Sequence, residues 1–252
     1  MQTLVGLIAQ AVPPSLVRIV GPTYAEHARA LSLAGHDVQM VRDLDPLGEA
    51  ALGLVVNPNN PDGRMFARED LLALAAQQRK SGGLLIVDEA FMDVGPRDES
   101  LAGDVEAANV IVLRSFGKFF GLAGLRLSFA LAGTNIAGRL RAALGPWPLS
   151  GPAVEIGTKA LSDGAWIAAT RNTLAKNSKR LDALLETAGL VRIGGTPLFT
   201  LAQNDDAPQV FDRLGRAGVF VRRFDEDPTW LRFGLPGAEA GWQRLEAALR
   251  SA

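Results

Sequence analysis

The 252-residue sequence contains no cysteine, one tyrosine and two histidines. Without cysteine there can be no disulfide, no thiolate metal site and no cysteine nucleophile. Two histidines, His27 and His36, are too few to suggest a multi-histidine metal site. Charge of one sign is also lacking. Lys+Arg number 26 against Asp+Glu 27, a net charge of −1, which gives no electrostatic case for nucleic acid or an anionic membrane surface. No apolar run approaches the about 18 residues of a membrane helix. Met1 to Val12 is mildly apolar, lacks the basic opening of a signal peptide, and reads as a buried helix. A soluble, cytoplasmic protein is the expectation. What is plentiful is apolar surface: 48% of the residues, enough to bury a sizeable core in one large domain or two ordinary ones.

Short apolar runs alternate with helical periodicity. Val17–Val20, Val38–Val41, Leu52–Val56, Leu84–Val87, Val110–Leu113 and Leu127–Leu131 read as strands; Tyr24–Ala34 and Arg68–Lys80 read as helices. Several strands are apolar throughout, the pattern of a mainly parallel sheet covered by helices on both faces, hence an α/β fold. Gly145 to Pro152 holds two glycines and three prolines in eight residues, and the domain boundary is placed there, with domains of 1–147 and 148–252. Beyond it, a long helix over Ala165–Ala188, strands at Pro197–Ala202 and Val219–Arg223 with a helix between, and a last helix over Ala238–Arg250 predict a smaller α+β domain. The stripe Trp242, Leu245 and Leu249 marks the buried face of that last helix.

Four segments at strand ends can carry chemistry, because ligands of open α/β sheets sit outside the carboxyl ends of the strands. Asn57-Pro58-Asn59-Asn60-Pro61-Asp62-Gly63 is a tight turn presenting amides, or simply a turn. Asp88-Glu89 ends a buried strand, where a carboxylate needs a partner. It could hold a cation, a metal or a protonated ring nitrogen, or cap the next helix. Lys118, one of five lysines among 21 arginines, lies in Ser115-Phe116-Gly117-Lys118-Phe119-Phe120-Gly121-Leu122-Ala123-Gly124-Leu125-Arg126. An amine desolvated by such neighbours becomes a nucleophile; the other reading is a surface lysine in a loop. Arg232, alone in the apolar run Trp230–Pro236, suggests a carboxylate or phosphate clamp, or a structural ion pair.

The order and spacing of these segments, together with Gly21-Pro22-Thr23-Tyr24-Ala25-Glu26-His27 and Leu231–Gly237, resemble the fold-type I aminotransferase superfamily. Within it they resemble the branch of threonine-phosphate decarboxylases and histidinol-phosphate aminotransferases, over the whole chain. The resemblance implies a pyridoxal 5'-phosphate enzyme, a homodimer, in which Lys118 carries the cofactor as a Schiff base. By the same resemblance Asp88 pairs with the ring nitrogen, Asn60 with the phenolic oxygen, Tyr24 stacks on the ring, and Ser115 and Arg126 bind the phosphate. Arg232 matches the arginine for the substrate carboxylate, and Arg222 is a candidate for a substrate phosphate.

Phe91 discriminates between reactions within that resemblance. Aminotransferases of the superfamily usually have tyrosine there, whereas threonine-phosphate decarboxylases have phenylalanine, which cannot donate a hydrogen bond. The expectation is decarboxylation of L-threonine O-3-phosphate to (R)-1-aminopropan-2-yl phosphate for the nucleotide loop of cobalamin. The alternatives are a histidinol-phosphate-type aminotransferase and a non-catalytic homologue. The last is kept because the match starts at Met1-Gln2-Thr3-Leu4. Relatives have there a glycine-containing turn whose amides bind cofactor phosphate, after an N-terminal arm, so the cofactor domain reads as N-terminally incomplete. A nucleotide-binding module lacks support, since no glycine-rich dinucleotide or P-loop pattern follows the early strands.

Overall fold

The computed structural model describes residues 2–250. The chain divides into two compact units: one up to Asn60 and again over Arg64–Asp163, the other of Pro61–Gly63 and from Gly164 onward.

In the first unit, α1 (Gln2–Gln10), β1 (Leu16–Val20), α2 (Glu26–Leu33), β2 (Asp37–Val41), β3 (Leu52–Val56), α3 (Arg68–Lys80), β4 (Leu84–Asp88), α4 (Val105–Ala108), β5 (Val110–Ser115), β6 (Ser128–Leu131), α5 (Thr134–Leu144) and α6 (Gly151–Ser162) follow in order. The sheet order is β2-β1-β3-β4-β5-β6. The first five strands run parallel and β6 is antiparallel to β5. Strand side chains alternate between faces, and both faces here are apolar. Leu54, Val56, Ile86, Ile111 and Leu113 pack with Val5, Ile8, Leu31 and Leu140 from α1, α2 and α5. Val55, Leu85, Val87, Val110 and Val112 pack with Leu71, Leu74 and Leu101 on the other side. This double covering explains why the strands read as unbroken apolar runs.

The second unit contains α7 (Gly164–Thr187), β7 (Val191–Thr196), β8 (Phe199–Gln203), α8 (Ala207–Arg216), β9 (Arg222–Arg223), β10 (Trp230–Gly234) and α9 (Glu239–Arg250). Its antiparallel sheet has the order β7-β8-β10-β9. Leu181 and Leu185 of α7 join Ala202, Leu231 and Phe233 of the sheet, and Trp242, Leu245 and Leu249 of α9, in its core. Val219–Arg223 is strand only over its last two residues. Val219 N–H donates to Leu214 O at 2.8 Å, closing the end of α8 behind Gly218 at φ +71°. Gly194 and Gly195 let the Asp62 backbone lie against β7: a Cβ on Gly194 would stand 1.9 Å from Asp62 O, and Gly195 N–H donates to that oxygen at 2.7 Å.

Candidate active site at the carboxyl edge of the parallel sheet

Because β1, β3, β4 and β5 are parallel, the segments that follow them share one edge. A cavity of about 200 Å³ opens there, lined by Tyr24, Asn60, Asp88, Phe91, Ser115, Lys118 and Arg126 among others. A cavity of about 150 Å³ accepts a benzene ring, so this one has room for a single substituted aromatic ring.

Each segment turns some of its residues to the cavity and uses their neighbours elsewhere. In the turn after β3, Asn57 accepts from Phe66 N–H at 2.9 Å and donates to Phe66 O at 3.1 Å. Asn59 donates to Pro22 O at 2.9 Å and accepts from Thr23 Oγ1 at 2.6 Å, tying this turn to the one after β1. Of the three asparagines in the turn, Asn60 lines the cavity.

The two acids at the end of β4 diverge, as strand alternation requires. Asp88 continues the face of Ile86. Its Oδ2 lies 2.7 Å from His27 Nε2, and its Oδ1 accepts from Ala90 N–H at 2.9 Å. Glu89 continues the opposite face of Val87 and is fully buried. It accepts from Leu101 N–H at 2.7 Å, Ser100 Oγ at 2.6 Å and Arg114 Nη1 at 3.1 Å. Burial pushes its carboxyl above the ordinary range, against the pull of Ser100, Leu101 and Arg114. Neither acid caps the next helix, the 92–94 3-10 turn, with its side chain.

After β5, Ser115 Oγ accepts from Gly117 N–H at 3.2 Å, turning the chain so that Lys118 enters the cavity. Phe116 and Phe119 are buried and Phe116 stacks on Phe120, centroids 4.4 Å apart. Lys118 itself is exposed on the open side of the cavity, against the expectation of a desolvated amine, while Phe116 and Phe119 are packed into the core. Its Nζ lies 5.3 Å from the centroid of Phe91. Arg126 takes the left-handed conformation, φ 55°, at the end of a short 3-10 turn.

Arg222 and Arg232 belong to the second unit, where they are direct register partners on β9 and β10. Arg232 lies 5.2 Å over the Phe199 ring. Burial and then the charge of Arg222 lower its pKa from the ordinary arginine value. Two guanidinium groups so close are suited to a doubly charged anion or to two anionic groups.

Sequence reasoning missed His27 as a site residue. Its signal was the spacing of three from Tyr24, just ahead of α2, where a turn closed by His27 N–H donating to Tyr24 O at 3.1 Å brings their rings edge to face at 5.3 Å.

The donor set fits pyridoxal 5'-phosphate: an amine, a buried carboxylate, an amide, a hydroxyl and a guanidinium around a cavity of one ring's size. Comparison with known proteins agrees with that chemistry. The family model "Aminotransferase class I and II" matches residues 2–249. A threonine-phosphate decarboxylase of Sinorhizobium sp is 49% identical over 251 residues, covering 98% of this chain and 74% of that protein. One from Pseudomonas aeruginosa is 44% identical over 236 residues, covering 92% and 71%. The crystal structure of a histidinol-phosphate aminotransferase from Sinorhizobium meliloti in complex with pyridoxal-5'-phosphate superposes with a TM-score of 0.83 at 26% identity, covering 98% of this chain and 73% of that one. This chain belongs to the aminotransferase class I and II family.

Proposed function

We propose that this chain is a pyridoxal-phosphate-dependent lyase that decarboxylates L-threonine O-3-phosphate to (R)-1-aminopropan-2-yl phosphate, a step of cobalamin biosynthesis. The observation that carries the reading is 49% identity to a threonine-phosphate decarboxylase over 98% of the chain. The converging side chains at the sheet edge support it.

When bound, pyridoxal 5'-phosphate supplies the electron sink that takes up the pair left by departing CO2. The chain's own residues do the rest. Lys118 offers the amine for covalent attachment. Asp88, braced by His27, keeps a proton at the ring nitrogen. Asn60 donates to the phenolic oxygen and Tyr24 covers a ring face. Ser115 and Arg126 take the cofactor phosphate. Phe91, lining the same cavity, has no hydroxyl to add to Asn60's hydrogen bond. Arg232 takes the substrate carboxylate and Arg222 its phosphate. Residues 1–147 thus hold the cofactor, and 148–252 contribute the two arginines.

The reading includes a homodimer in the cytoplasm. Among the described residues no helix is long and apolar enough to cross a membrane. Light scattering on a sizing column checks the dimer. Incubation with threonine phosphate and pyridoxal phosphate tests the reaction: CO2 release with aminopropanol phosphate is expected. Amino transfer from histidinol phosphate without CO2 release would make it an aminotransferase instead.

A further inference from the structure

We propose that Arg114 and Glu89 form a positioning buckle behind the cavity, fixing the β4 and β5 ends so that Asp88 and Lys118 face one ring. This rests on the cofactor reading above and adds two residues that do not themselves line the cavity.

Placement follows from strand alternation. Asp88 and Ser115 line the cavity; Glu89 and Arg114, each one residue away, point to the opposite face of the sheet. There Arg114 Nη1 donates to Glu89 Oε2 at 3.1 Å, and Arg114 Nη2 donates to Asp93. Glu89 also holds Ser100 Oγ at 2.6 Å and Leu101 N–H at 2.7 Å. Its backbone N–H donates to Leu113 O at 2.9 Å, carrying the β4–β5 pairing one residue past the strand. One carboxylate, 0% exposed, therefore joins the end of β4, the end of β5 and the 100–103 turn, while Arg114 adds the 92–94 turn.

A fold that needed only packing here would do as well with apolar residues, since buried ion pairs add little net stability. What a forked guanidinium between two carboxylates adds is direction: it fixes angle as well as distance. A site held by such supports tolerates little displacement; where the partners that orient metal ligands are lost, affinity falls about tenfold or more.

The test uses the full chain with Arg114→Met, Arg114→Lys, Glu89→Gln and the Arg114→Met/Glu89→Gln double variant. Arg68→Met is the control, because it breaks the Arg68–Asp104 pair away from the cavity. Each protein is titrated with pyridoxal phosphate by absorbance and unfolded in urea. Arg114→Lys keeps the charge and stands in for Arg114→Met if the latter does not fold. The expected result is an affinity about tenfold weaker in every Arg114 variant, persisting in the double variant after its urea midpoint has recovered. Arg68→Met should lose midpoint and keep affinity. Recovery of both midpoint and affinity in the double variant would overturn the proposal and leave the pair structural only. Absence of binding by the unaltered protein would overturn the cofactor reading, and this inference with it.

Discussion

His27 Nε2 and Asp88 Oδ2 stand 2.7 Å apart, with both side chains buried, at the point where α2 meets the end of β4. An ionised carboxylate can only accept, so the proton of this bond sits on Nε2 when Asp88 is charged. Asp88's other oxygen is used by Ala90 N–H. The imidazole is thus the side-chain support of a carboxylate that would otherwise lie nearly bare beneath the cavity.

Removing that support should be expensive. His27→Leu fills much of the same space but donates nothing. A lost hydrogen bond to a charged group costs about 1.5–3 kcal/mol. Urea unfolding should register a loss in that range, with weaker cofactor retention. A loss below about 0.5 kcal/mol would mean that Asp88 does not depend on His27.

The arginine pair of the second unit gives a kinetic prediction. Arg232→Lys keeps a cation but not the planar fork that matches a carboxylate. On the proposed function it should lower kcat/KM for threonine phosphate by roughly ten- to hundredfold, equivalent to about 1.5–3 kcal/mol. Arg222→Lys should raise KM with little change in kcat. Unchanged kinetics in both would remove the arginines from the substrate site.

Glu89 gives a pH signature. Burial raises its folded-state pKa above the ordinary 4.5, so between that value and the raised one the folded state keeps a proton that the unfolded state has released. Stability must then fall as pH rises through that window, and be flat above it. Glu89→Gln should lack this component: from about pH 4.5 upward the native protein should lose more stability than the variant. Parallel stability–pH curves for the two proteins would contradict the assignment.

Much of the architecture was legible because both sheet faces are covered, so β3, β4 and β5 appear as unbroken apolar runs. Elements that depend on a neighbour were not. Gly151–Ser162 was hidden by Gly151 and Pro152, which suggest a break; yet Pro at the first helical turn lacks only an N–H that the helix does not use, and Ser150 Oγ caps Ala153 N–H at 3.3 Å. β7 was hidden by Gly194 and Gly195, whose missing side chains make room for the Asp62 backbone. In the site, the acid pair was visible as Asp88-Glu89, but its division into one cavity residue and one residue behind the sheet depends on the partners His27 and Arg114, which local sequence does not name.

Hydride reduction of the protein with pyridoxal phosphate, followed by peptide mass spectrometry, tests whether Lys118 carries the cofactor. A pyridoxyl group is expected on the peptide containing Lys118. No label, or label spread over Lys80, Lys159, Lys176 and Lys179, would contradict it.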